Sequence, residues 1–136
     1  MSTKKDKFTS QDKKFMQLAL KLASVRKGLT GENPSVGCLI VKNDQIISIG
    51  QTGLNGRPHA EHNAINNSAE NVKDSKMYVT LEPCNHYGKT PPCTNSIIKS
   101  GISEIIYGMD DIDKKVKGKS FKTVSYTHLT LPTTSA

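Results

Sequence analysis

Tryptophan is absent, aromatic residues make up only 5% of the 136-residue chain, and no long apolar run occurs. A bilayer-spanning helix needs roughly 18–20 consecutive apolar residues, so no membrane-spanning helix and no membrane partner are expected. Lys4, Lys5 and Lys7 open the chain without an apolar secretory segment behind them, which argues against export. The scarce aromatics are not interleaved with basic residues, so a single-strand nucleic-acid stacking platform is excluded. Three cysteines cannot form a fully paired disulfide set, and a reducing, cytoplasmic setting follows from that. Acidic residues are the minority charge, 12 against 19 Lys and Arg, for a net +7 and a sequence pI near 9.4. The last thirteen residues, Val124–Ala136, carry no Lys, Arg, Asp or Glu.

What is present suffices for one compact domain. Hydrophobic residues reach 35% and the mean hydropathy is −0.48, yet Ile, Val and Leu concentrate in short segments. Thr9-x-x-Asp12 predicts a capping box at the start of a helix that ends before Gly28, with Phe15, Leu18, Ala19, Leu22 and Val25 on one face. Asn33-Pro34 marks a turn. Val36–Val41 and Gln45–Ile49, joined by Lys42-Asn43-Asp44, predict an antiparallel hairpin. A glycine-bearing loop from Gly50 to Pro58 leads to a helix over His59–Val72, with Ala60, Ala64, Ile65 and Ala69 facing the sheet. Met77–Leu81 reads as a strand, Thr94–Ser100 as a helix and Ile102–Tyr107 as a strand. The order αββαβαβ predicts an α/β domain whose mixed sheet has a β-hairpin followed by parallel strands, with helices on its faces. Beyond Gly108, Asp110, Asp111 and Asp113 precede five lysines and read as a solvated connection.

Chemistry concentrates in two places, His59-Ala60-Glu61 and Pro83-Cys84-Asn85-His86, the latter followed by Cys93. One imidazole and two thiolates can hold Zn²⁺ with a fourth position left for water. Glu61, two residues beyond His59 in the first turn of the same predicted helix, can reach that water without being a ligand. Zinc lowers the pKa of bound water; a carboxylate beside it can take the proton and pass it to a ring nitrogen and then to departing ammonia. His, two Cys and a non-ligand Glu match the zinc-deaminase signature. Alternatives remain at this level. His59 by itself can cap a helix, and His86 can complete a closed structural zinc site, which would make the domain a zinc-stabilised binding module.

The runs Asn33-Pro34-Ser35-Val36-Gly37-Cys38, Gly56-Arg57-Pro58-His59-Ala60-Glu61 and Thr80-Leu81-Glu82-Pro83-Cys84-Asn85-His86-Tyr87-Gly88-Lys89-Thr90-Pro91-Pro92-Cys93 resemble the deaminase domain of bacterial riboflavin biosynthesis, over roughly residues 9–122. The resemblance implies a three-layer α/β/α, cytidine-deaminase-like fold. It also implies removal of the 2-amino group of a pyrimidinone bearing a phosphoribosylamino substituent, with ammonia released. By the same resemblance His59, Cys84 and Cys93 bind zinc and Glu61 shuttles protons. Asn33 contacts the substrate and the His86–Thr90 loop, with Lys89 and Thr90, shapes the pocket. Lys89 is the candidate phosphate contact and Arg57 its competitor. Asn85 stands where the family pattern often has Ser. Eight residues separate Cys84 from Cys93; cytidine and tRNA-adenosine deaminases resemble a tighter Pro-Cys-x-x-Cys arrangement. The implied partner is a phosphorylated pyrimidine rather than nucleic acid, with cytidine, deoxycytidylate or another nucleobase as the alternative substrate.

The family often carries an NADPH-dependent reductase after the deaminase, and this chain has no room for one. The resemblance further implies a strand–helix portion after the Asp110–Lys122 region that is missing or replaced, which would bare a sheet edge. Val124–Ala136 resembles translated sequencing-adapter read-through. The expected division is therefore a deaminase domain over 1–123, incomplete at its C-terminal side, and a non-native tail over 124–136. A homo-oligomer is expected from the family.

Overall fold

The computed structural model describes residues 9–81, 93–108 and 125–128. Helix α1 spans Ser10–Val25, strands β1 and β2 span Gly37–Lys42 and Gln45–Gln51, and a 3₁₀ turn covers Leu54–Gly56. Helix α2 (Ala60–Asn67), strand β3 (Lys76–Val79), helix α3 (Cys93–Ser100) and strands β4 (Glu104–Tyr107) and β5 (Ser125–His128) follow. Thr9 caps α1 as its sequence predicts. Its hydroxyl accepts from the Asp12 amide at 3.0 Å, and its own amide donates to Asp12 Oδ2 at 3.0 Å. The other Asp12 oxygen accepts from the buried Tyr78 hydroxyl at 2.6 Å, which ties the start of α1 to β3.

The sheet order is β2-β1-β3-β4-β5. β1 pairs antiparallel with both β2 and β3, whereas β3–β4 and β4–β5 are parallel. Positive φ at Asn43 and Asp44 gives the hairpin the left-handed turn that matches strand twist. One extra residue in β2, Ile47, makes a bulge opposite Ile40/Val41.

Alternation along the strands divides the core in two. Cys38, Ile40, Met77, Val79, Ile105 and Tyr107 face α2 and α3 and pack with Ala60, Ala64 and Ile97. Leu39, Val41, Tyr78 and Ile106 face α1 and pack with Phe15, Met16 and Ala19. This is the expected three-layer α/β/α arrangement with a mixed sheet. It also explains why β1 reads as an unbroken apolar run: it is covered on both faces.

Three expectations need correction. Val25 does not join the core but is 69% exposed: α1 meets the sheet through Phe15, Met16 and Ala19, with Leu18 and Leu22 beside them, and Val25 is its last residue. Helix α2 stops at Asn67 rather than Val72, and Ala69 is exposed. Asn66-Asn67-Ser68 are weak helix formers, and the Ser68 hydroxyl donates to the Glu70 carbonyl instead of continuing the helix. The outer side of β4 is not bare either. Ser125–His128, inside the uncharged tail, pairs with it in parallel. Residues 109–124 are long enough for the dozen-or-so-residue crossover that a parallel pair requires.

Candidate functional site

β2 and β3 both run antiparallel to β1, so they point the same way, and α2 and α3 follow them in the chain. Their C-terminal ends therefore share one edge of the sheet, the edge where open α/β sheets bind ligands. The chain enters α2 there at His59. Cys93 begins α3, which packs beside α2.

Two glycines let α2 sit this close to the hairpin. A Cβ on Gly50 would lie 2.3 Å from the Ala60 carbonyl oxygen and 2.5 Å from the Ala64 nitrogen. A Cβ on Gly53 would lie 2.1 Å from the Arg57 carbonyl oxygen. Backbone occupies the space in both cases, so neither position accepts a side chain without movement of the loop or helix.

His59 occupies the N-cap of α2 with extended dihedrals, but the cap is made without its imidazole. A plain helix-capping role for the ring is thereby set aside. Glu61 lies in the first turn and is buried, 5% exposed. Cys38 on β1 is fully buried nearby. Desolvation, reinforced by the Glu61 carboxylate, pushes its thiol well above the ordinary cysteine range. Cys38 is thus a neutral packing residue beside Glu61 and not a competing thiolate.

Asn33 stands on the loop facing this entry. Its side-chain amide donates to the Gly56 carbonyl at 2.9 Å, and its own carbonyl accepts from the Thr30 hydroxyl at 2.7 Å. Gly56 has φ +98°, and a Cβ there would come within 2.7 Å of Asn33 Nδ2. The Asn33 loop and the Gly56-Arg57 segment are in this way brought together, with half-buried Arg57 next in the chain. Cys84, His86, Lys89 and Thr90 lie outside the described residues, as does the Cys93 side chain. Among the described residues, accordingly, no three His, Cys, Asp or Glu side chains form a metal-binding group.

The donor set fits zinc in kind: one imidazole and two thiolates are the ligands of a site that keeps an open position. In the described part, His59 and the start of α3 at Cys93 stand at one sheet edge, and Glu61 is buried in the first turn of α2.

Sequence reasoning missed several supporting residues. Thr52 accepts from the Val36 amide at 2.8 Å and donates to the Pro34 carbonyl at 3.1 Å, fixing the segment between Asn33 and β1. Thr80 accepts from the Gly37 amide at 3.2 Å. Asn63 donates to the carbonyls of Gln51 and Pro58. Only Asn63 carried a signal, its spacing of four from His59, which places it one helical turn on.

The cytidine and deoxycytidylate deaminase zinc-binding region matches residues 9–109. The riboflavin biosynthesis protein RibD of Haemophilus influenzae is 48% identical over 118 residues, which are 87% of this chain and 32% of that protein. The diaminohydroxyphosphoribosylamino-pyrimidine deaminase of Buchnera aphidicola subsp. Schizaphis graminum is 47% identical over 109 residues, covering 80% of this chain and 74% of that protein. Among solved structures, Acinetobacter baumannii RibD (form 1) superimposes with a TM-score of 0.78 at 38% identity, over 87% of this chain and 35% of that one. The chain thus spans about a third of the length of the RibD proteins and about three quarters of the Buchnera deaminase. By these matches the chain belongs to the zinc-binding cytidine and deoxycytidylate deaminase family, on its RibD branch of diaminohydroxyphosphoribosylaminopyrimidine deaminases.

Proposed function

We propose that the chain catalyses hydrolytic deamination of 2,5-diamino-6-(5-phosphoribosylamino)pyrimidin-4(3H)-one to the 5-amino-uracil derivative and ammonia, a step of riboflavin biosynthesis. The observation that carries this reading is the 47% identity to the Buchnera deaminase over three quarters of that protein's length. His59, Cys84 and Cys93 are the residues that would hold Zn²⁺. When bound, the metal supplies Lewis-acid activation of water.

The chain's own residues do the rest. Glu61, buried in the first turn of α2, takes a proton from the attacking water and delivers it to the ring nitrogen beside the amino-bearing carbon. It then takes the proton of the newly formed C–OH and passes it to the departing amine, so that the C–N bond breaks as the C=O forms, neutral ammonia leaves and the carboxylate is restored. Asn33, anchored on Gly56, borders the base or ribose; its side-chain N–H is committed to the protein, which sets the orientation of the amide. By the family resemblance His86 and Thr90 help shape the pocket, with Lys89 or Arg57 as the phosphate contact. A substrate phosphate accords with the +7 charge of the chain. On the same reading, residues 1–123 carry the catalytic domain and 124–136 is a segment foreign to it, of which Ser125–His128 pairs with β4.

The test is ammonia release and product mass with the zinc-loaded chain, using the phosphoribosylaminopyrimidine, cytidine and deoxycytidylate in parallel. Turnover of the first alone is expected. Turnover of cytidine or deoxycytidylate in its place would move the chain to a nucleoside or nucleotide deaminase. Zinc binding with no turnover of any would leave a binding module.

A further inference from the structure

We propose that Asn63 is a positioning residue for His59: its side-chain amide fixes the peptide plane that enters His59 and so aims the imidazole at the metal. This rests on the zinc-site reading above. Asn63 Nδ2 donates to the Gln51 carbonyl at 2.7 Å, at the end of β2, and to the Pro58 carbonyl at 3.3 Å. The Pro58 carbonyl also accepts from the Gly53 amide at 2.9 Å. Two donors therefore hold one carbonyl, and that carbonyl belongs to the peptide unit whose nitrogen is His59's.

The far side of His59 is held by the same residue. The Asn63 backbone amide donates to the His59 carbonyl at 3.1 Å, the first intrahelical bond there. Asn63 thus grips the carbonyls before and after the His59 Cα, one with its side chain and one with its backbone. With both flanking peptide planes set, the direction of the His59 Cα–Cβ bond follows.

A neutral amide suits this place and a carboxylate does not. Both contacts are carbonyl oxygens, so the side chain must donate twice from one nitrogen, and Asp has no donor when ionised. The purpose is not helix stability, because Asn67 shows what a purely edge-covering Asn does. It donates to the Ile49 carbonyl at 3.3 Å, two residues back from Gln51 along the same outer edge of β2. Both asparagines line an open cleft of about 380 Å³ with Arg26, Gly50, Gln51 and Gly53. Water in that cleft can solvate the carbonyls when either amide is removed, so the variants are expected to fold.

The experiment compares the full chain with Asn63→Ala, Asn63→Asp and Asn67→Ala. Zinc affinity is measured by competition with a chromophoric chelator, the melting temperature on the zinc-free proteins, and kcat and KM separately. Disrupting the support of a metal-binding histidine typically costs 10–100-fold in metal affinity. Both Asn63 variants should weaken zinc binding by about tenfold or more, Asn63→Asp the most, and lower kcat with KM within about twofold. Asn67→Ala should bind zinc as the parent does. The proposal is overturned if the Asn63 variants bind zinc normally. It is equally overturned if their loss is matched by Asn67→Ala or is accounted for by a lower melting temperature of the zinc-free protein. Zinc binding by the parent without deamination would sink the functional reading alone, whereas no zinc binding by the parent would sink both.

Discussion

Replacing Gly50 with alanine tests how the active edge is assembled. The new methyl group would sit 2.3 Å from the Ala60 oxygen and 2.5 Å from the Ala64 nitrogen, both backbone atoms of α2. Ordinary contact begins near 3.4 Å, so the helix must withdraw from β2 by about 1 Å. Overpacking of this kind costs about 1–3 kcal/mol. With an unfolding entropy of about 2.1 cal/mol/K per residue, a domain of this size loses about 4 °C of melting temperature per kcal/mol, or about 4–12 °C here. The same withdrawal carries His59 and Glu61 with it. A misplacement of about 1 Å at a reacting centre can lower turnover about 100-fold. Gly50→Ala should therefore lose about two orders of magnitude in kcat/KM at a temperature where circular dichroism shows it still folded. Gly28→Ala is the control: φ is +85° there, but no atom lies within 4 Å, so only backbone strain of about 1–2 kcal/mol is added and turnover per folded molecule is kept. Gly50→Ala with unchanged turnover and melting temperature would refute the seating of α2 on the hairpin.

Tyr78→Phe removes a buried hydroxyl that donates to Asp12 at 2.6 Å, and thermal denaturation should show a loss of about 1–3 kcal/mol. Burial, then the Asp12 hydrogen bond, pushes the Tyr78 phenol far above its ordinary range. The unfolded chain therefore ionises first as pH rises past about 10, and stability falls from there at up to about 1.4 kcal/mol per pH unit. That alkaline slope should be shallower in Tyr78→Phe; equal slopes would remove Tyr78 as its source. Thr52→Val keeps the shape but deletes the acceptor for the Val36 amide and the donor to Pro34, and should cost about 1–3 kcal/mol in denaturant titrations. Because those bonds set the segment between Asn33 and β1, its KM for the pyrimidine should rise more than its kcat falls; the reverse split would show that Asn33 is not held from there.

Much of this was legible in the residues. The apolar run Val36–Val41, the β-branched Gln45–Ile49 and the Lys42-Asn43-Asp44 turn marked the hairpin, and Thr9-x-x-Asp12 marked the cap of α1, because those signals are local. His59 and Glu61 were legible because a metal ligand and a proton carrier need particular side chains at close spacing. The end of α2 was misjudged since apolar Ala69 and Val72 continue the helical pattern, while Ser68 turns the chain through a hydrogen bond that no periodicity reveals. Val25 was misplaced for a related reason: periodicity marks a face but not which of its residues at the helix end reach the core. Edge strand β5 escaped because its pairing is with β4 across 17 intervening residues, in a tail read as foreign to the domain. The gripping of His59 by Asn63 depends on a carbonyl at Pro58, and backbone hydrogen bonding of that kind leaves only the spacing of four as a trace.

The central claim is that Glu61 moves the proton while His59, Cys84 and Cys93 hold the metal. It is tested most directly by measuring zinc stoichiometry and ammonia release in Glu61→Gln. Loss of a general acid–base group costs about 10²–10⁴ in rate. The account predicts one zinc bound as in the parent, with turnover of the phosphoribosylaminopyrimidine down by at least about 100-fold. Undiminished ammonia release with zinc in place would contradict it.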